Sequence, residues 1–103
     1  MNAVDFHVLL VLAGGDLYGY AILKSVRAES GGTLRPDIGS LYRVLGRLMA
    51  EGLVAEVDPP ENAPEVHSGK PRRYYRLTRG GRASLRAETK RLEGALKLAR
   101  KRT

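Results

Sequence analysis

The chain has 103 residues, enough for one small core, and its 43% apolar and 28% charged fractions are those of a folding sequence rather than a disordered tail. Eighteen Lys and Arg against eleven Asp and Glu leave a net charge of +7, which favours a polyanionic partner, nucleic acid before an acidic membrane surface. With no Cys, no Trp and two histidines, the composition excludes thiol catalysis, disulfides and Cys-based zinc sites.

Residues 3–13 are rich in Leu and Val and apolar nearly all round, interrupted by Asp5 and His7. A helix without a clean polar face is covered on more than one side, here by its own core and by a partner chain. His7 fits a satisfied core or interface position, because it lacks the convergent partners a metal site needs. Gly14-Gly15 ends this helix, and Asp16 offers an N-cap oxygen to a second one over residues 17–30, with Leu17, Ala21, Ile22 and Val26 as its apolar stripe. Gly31-Gly32 closes it. Arg35 is held extended by Pro36, and Asp37 is the next N-cap.

The third helix is predicted over residues 38–51. Ile38, Leu41, Val44, Leu45, Leu48 and Met49 make one broad apolar face, and Ser40, Arg43, Gly46 and Arg47 lie opposite. Gly52 stops it, and residues 53–57 read as a strand. Residues 58–71 form a long loop of Pro, Glu, Asn, Ser and Gly, after which residues 72–77 alternate as a second strand: Arg73, Tyr75 and Leu77 on one side, Arg72, Tyr74 and Arg76 on the other. The two strands make an antiparallel hairpin. Thr78 caps a last helix over residues 79–101, although Gly80 and Gly81 weaken its first turn by roughly 1 kcal/mol each. Leu85, Leu92 and Ala99, seven apart, with Ala95 and Leu96 beside them, form a narrow seam suited to another helix.

The expected architecture is mainly α with a small β-hairpin: a winged helix-turn-helix over residues 1–77, followed in the same compact unit by a C-terminal dimerisation helix, residues 78–103. The charge is divided accordingly. Residues 1–65 hold five bases against nine acids, a sum of −4, and residues 66–103 hold thirteen bases against two acids, a sum of +11.

Three blocks of the sequence resemble the PadR family of bacterial transcriptional regulators. The apolar run Val8-Leu9-Leu10-Val11-Leu12-Ala13 is followed by Leu17-Tyr18-Gly19-Tyr20, with Tyr18 where the family has His. The family's Pro-Gly-Ser/Thr-Leu-Tyr-x-x-Leu-x-x-Leu block is similar to residues 39–48, preceded by Pro36-Asp37-Ile38 in place of an immediate Pro and followed by Glu51-Gly52-Leu53. The third block is Arg72-Arg73-Tyr74-Tyr75-Arg76-Leu77-Thr78-Arg79-Gly80-Gly81. The resemblance implies a homodimer whose last helix packs on its partner's first, a repressor acting on a pseudo-palindromic operator in double-stranded DNA, and release by a small-molecule effector. The sequence itself leads to the expectation of a soluble cytoplasmic protein with no cofactor and no membrane partner. The most apolar stretch, residues 8–13, is in any case far below the roughly 20 residues that span a bilayer.

On this reading Ser40, Tyr42, Arg43 and Arg47 face the major groove, where an arginine reads guanine in bidentate fashion. Tyr20, Lys24 and Arg35 are candidates for phosphate contacts that position the protein without reading sequence. Lys70, Arg72 and Arg73 grip flanking phosphates or enter the minor groove from the foot of the wing, while the acidic tip, with Asp58, Glu61 and Glu65, is repelled. The expected dimer surface is Val4, Val8 and Val11 on the first helix and Leu85, Leu92, Ala95, Leu96 and Ala99 on the last. Two other classes share these features: a basic RNA-binding or ribosome-associated protein, and a winged helix that binds protein. An enzyme ranks last, because no carboxylate pair, no nucleophile with its base and no phosphate-cradling glycine loop stands at workable spacing.

Overall fold

A computed structural model describes residues 1–63 and 72–103. The chain runs α1 (Ala3–Leu12), β1 (Leu17–Tyr18), α2 (Gly19–Glu29), α3 (Ile38–Ala50), β2 (Val54–Val57), β3 (Tyr74–Leu77) and α4 (Arg79–Arg102). The first helix starts from a capping box: Asn2 Oδ1 accepts the Asp5 N–H at 2.9 Å, and the Asp5 carboxylate accepts the Asn2 N–H at 3.4 Å. The first turn is thereby closed by two side chains, with Ala3 and Val4 between them. Val8, Leu9, Ile22, Val26, Leu41 and Leu45 are wholly buried where α1, α2 and α3 converge, and Tyr75 closes this core from the sheet.

The sheet has three strands, in the order β1-β3-β2, rather than the two expected. Leu17 and Tyr18 do not begin α2; they pair antiparallel with Tyr75 and Tyr74. Asp16 is correspondingly not an N-cap, and its carboxylate instead accepts two N–H groups from Arg76 on β3, at 3.1 and 2.8 Å. A two-residue strand carries no periodicity, which is why Leu17 joins the helical stripe when only spacing is considered. The third strand also changes the burial of its neighbour. Tyr74 alternates onto the outer side of the hairpin, yet it is buried, because β1 brings the Tyr18 ring to within 5.7 Å of its own.

The joint between α3, β2 and α4 is a clasp. Gly52 ends α3 in the left-handed region, with φ +76°, a conformation open to glycine at little cost. Thr78 then donates its hydroxyl to Gly52 O at 2.6 Å and its N–H to Leu53 O at 3.1 Å, while Thr78 Oγ1 accepts the Gly81 N–H at 2.9 Å. A methyl group on Gly81 would run into the Leu53 carbonyl oxygen and Leu77 Cδ1. The glycine that weakens α4 as a helix former is thus the one that lets its first turn dock on the turn after α3.

Beyond this clasp α4 leaves the body. Its 24 residues span about 36 Å at 1.5 Å per residue, and every residue from 89 to 103 is exposed, which gives the molecule principal extents of 55 × 28 × 23 Å. Leu92, Leu96 and Leu98 lie bare along it. Among the expected dimer-surface residues, Val8, Val11 and Leu85 are instead taken up by the chain's own core. An amphipathic count cannot assign them, because α1 is apolar on every side and packs on α2, α4 and β3 at once. Val4 is half-buried, and the exposed large residue of α1 is Leu10.

Candidate nucleic-acid interface

The segment between α2 and α3 is fixed by hydrogen bonds and by Leu34, which packs against the core. Gly32, at φ +80°, donates its N–H to Arg27 O at 2.8 Å, Ser30 Oγ accepts the Leu34 N–H at 3.0 Å, and Arg27 Nη2 donates to Pro36 O at 3.2 Å. Asp37 then opens α3, its carboxylate accepting the Ser40 N–H at 2.7 Å. That bond, helped by Arg43, holds the Asp37 carboxyl below the usual aspartate range.

With Leu41, Leu45 and Leu48 facing inward, the 100° step per residue puts Gly39, Arg43, Gly46 and Ala50 along the opposite ridge of α3, with Ser40 and Arg47 on one flank and Tyr42 on the other. A Cβ on Gly46 would meet nothing within 4 Å. The outermost line of the helix therefore carries one long side chain, Arg43, whose Nη2 donates to Ser40 Oγ at 2.9 Å in full view of solvent. Such a ridge can approach another surface closely. Tyr42, 41% exposed, lays its ring against Gly19 at the start of α2, where a Cβ would stand 2.6 Å from the phenol oxygen. Its neighbour Tyr20 is 55% exposed, and Lys24 and Arg35 are exposed as well.

The candidates from sequence divide accordingly. Ser40 and Arg43 are joined by a hydrogen bond, and Tyr42 ties α3 to the turn that carries Tyr20. Arg47 is engaged elsewhere: Nη2 lies 2.5 Å from Asp5 Oδ1, and Nη1 lies 3.4 Å from Glu51 Oε1. Arg72 stacks over the Tyr18 ring, 4.2 Å from its centroid, and Arg73 is exposed beside it. Lys70, and Glu65 of the acidic tip, lie outside the described residues. The residue that sequence reasoning missed is Asp5, which is only 4% exposed. The spacing Asn2-x-x-Asp5 is that of a capping box and could have drawn notice to Asp5, but nothing in the sequence links it to an arginine 42 positions later.

Among the described residues no three His, Asp or Glu side chains are grouped so as to hold a metal ion, and no helix is long and apolar enough to cross a membrane. A helix-turn-helix with a solvent-facing third helix, backed by a short sheet and followed by a projecting helix, defines a winged-helix protein. Residues 8–87 match the transcriptional regulator PadR-like family, and the chain belongs to that family. It is 35% identical over 91 residues to a transcriptional regulator of Mycobacterium tuberculosis, covering 88% of this chain and 77% of that one. It is 39% identical over 87 residues, 84% of its length, to an uncharacterised 37.1 kDa protein of transposon Tn4556 from Streptomyces fradiae, of which it spans only 22%. The fold is similar to that of Bacillus subtilis PadR solved in complex with operator DNA, with a TM-score of 0.69 at 22% identity, covering 86% of this chain and 48% of that one. Members of the family are regulators and not enzymes.

Proposed function

We propose that this chain is a homodimeric repressor that binds a pseudo-palindromic operator in duplex DNA through α3. The observation that carries the reading is the outer ridge of α3: an uncluttered helix face with one solvent-exposed arginine, capped by Asp37 and presented by a hydrogen-bonded turn. That is the geometry with which a helix-turn-helix enters the major groove. The family match and the likeness to a fold solved on operator DNA support the DNA-binding part of it.

Ser40, Tyr42 and Arg43 read or line the groove. Tyr20, Lys24 and Arg35 take flanking phosphates, and Arg72 and Arg73 approach the backbone from the foot of the wing. The projecting α4, residues 78–103 with its cap, supplies the dimer contact through Leu92, Ala95, Leu96 and Ala99, joined by Val4 and Leu10 from α1. A small molecule that releases the operator acts through that contact, by changing the spacing of the two α3 helices.

Selection of bound fragments from random duplex DNA tests this. It should return a motif with two-fold symmetry and half-sites about 10 base pairs apart. Arg43→Ala should weaken binding to the selected site and relax one position of each half-site, by about 1–3 kcal/mol of discrimination. Equal retention of structured RNA at the same salt, or a selection that yields no motif, would overturn the reading.

A further inference from the structure

The wheel of α3 puts Arg47 one turn after Arg43 on the solvent side, where a second groove-reading arginine is the natural expectation. The contacts argue otherwise. Asp5 is buried on α1, and its carboxylate receives both the Asn2 N–H that closes the first turn of α1 and the guanidinium of Arg47. Glu51, the C-cap residue just past α3, takes the other edge of the same guanidinium. One cation thus stands between two carboxylates, and a phosphate brought to it would meet their charge as well. To reach DNA, Arg47 would have to leave a buried carboxylate without its counter-ion, a costly state in a medium poorer than water at stabilising charge.

We infer that Arg47 is a positioning residue: with Asp5 it fixes the C-terminal half of α3 against the first turn of α1, so that the roll and depth of the reading ridge are set by α1 rather than by DNA. This rests on the DNA-binding reading above and deepens it. Core packing alone leaves a helix some freedom to roll about its axis. A charged pair joining α3 to a capped helix end removes that freedom at a point away from the hydrophobic contact. The same pair links the orientation of α3 to the helix that α4 and the sheet also hold.

The test compares Arg47→Met, Asp5→Asn, the double variant and Arg43→Met in the full chain, by titrating each with the selected duplex at several salt concentrations. An arginine that touches phosphate contributes about one unit to the slope of log affinity against log salt. If Arg47 positions α3, Arg47→Met and Asp5→Asn each lower affinity about three- to tenfold with the slope and the selected motif unchanged, and the double variant loses no more than either alone. If Arg47 touches DNA, Arg47→Met loses about one unit of slope, and Asp5→Asn, which frees the guanidinium, leaves affinity unchanged or raises it; either result overturns the inference. Asp5→Asn keeps the side-chain shape and can still cap α1, so it carries the comparison should Arg47→Met fail to fold. Arg43→Met separates the two levels. If it leaves slope, affinity and motif untouched, or if the unaltered chain retains no duplex, the DNA-binding reading itself has failed, and this inference with it.

Discussion

Gly81 and Gly46 both lie inside helices, where glycine costs about 1 kcal/mol relative to alanine, yet substitution should act on them with opposite sign. At Gly81 an added methyl group collides with Leu53 O, a backbone atom held by Thr78, so the clasp must open to admit it. Gly81→Ala should destabilise the fold by about 1–3 kcal/mol in denaturant unfolding, as overpacking does. At Gly46 the space is open, so Gly46→Ala should stabilise it by about 1 kcal/mol. If α3 lies in the groove, Gly46→Leu should fold as well as the parent and bind the selected duplex at least tenfold more weakly, because the bulk stands on the reading ridge. A Gly46→Leu variant that binds as tightly as the parent would place the DNA contact elsewhere. Sequence alone shows that these glycines sit at helix positions. It cannot show which is pressed against a carbonyl and which faces solvent, since that depends on where a turn 28 residues earlier returns to.

At the scale of elements, α2, α3 and α4 were legible because each has a periodic apolar face, α3 and α4 also from a side-chain cap, Asp37 and Thr78, and α1 from its unbroken apolar run. The start of α2 was not legible, because Asp16, a good cap by type, is captured by Arg76 on a strand 60 residues away. The Asp37 cap has a pH consequence. Its carboxyl is held below the usual range chiefly by the Ser40 N–H, so the folded state keeps it ionised at a pH where the unfolded chain would begin to protonate it. Its contribution to stability is therefore fully present above the ordinary aspartate value of about 3.9 and drains away as pH falls through the lowered folded-state value. Thermal unfolding followed from pH 6 to pH 2.5 should lose stability with acid less steeply in Asp37→Asn, which still accepts the Ser40 N–H but does not titrate. Parallel profiles for the two proteins would show that the cap carries no such linkage.

For the whole molecule, the +7 net charge is placed so that the reading helix holds only Arg43 and Arg47, while the projecting α4 holds much of the rest. If α3 lies in the groove, the bases of α4 should act on DNA mostly through long-range attraction, with α4's packing value in its leucines. The seam of Leu85, Leu92 and Ala99 was readable from a spacing of seven. That Leu85 belongs to the chain's own core while Leu92 and Leu96 are bare was not, because the point where α4 leaves the body is set by the clasp at Thr78 and by α1, not by the heptad. Leu92→Glu with Leu96→Glu makes the consequence measurable. Both side chains are exposed in the single chain, so the unfolding free energy of the isolated fold should change by no more than about 0.5 kcal/mol. In a dimer the two pairs of new carboxylates would face a partner's apolar seam, and light scattering should then report monomers where the parent gives dimers. Two half-sites held by one dimer bind with the effective concentration that the tether supplies, so operator affinity should fall by about a hundredfold or more, while binding to a single half-site stays near the parent's value. Unchanged mass, or an equal loss on the half-site, would mean that α4 is not the element that holds the two reading helices together.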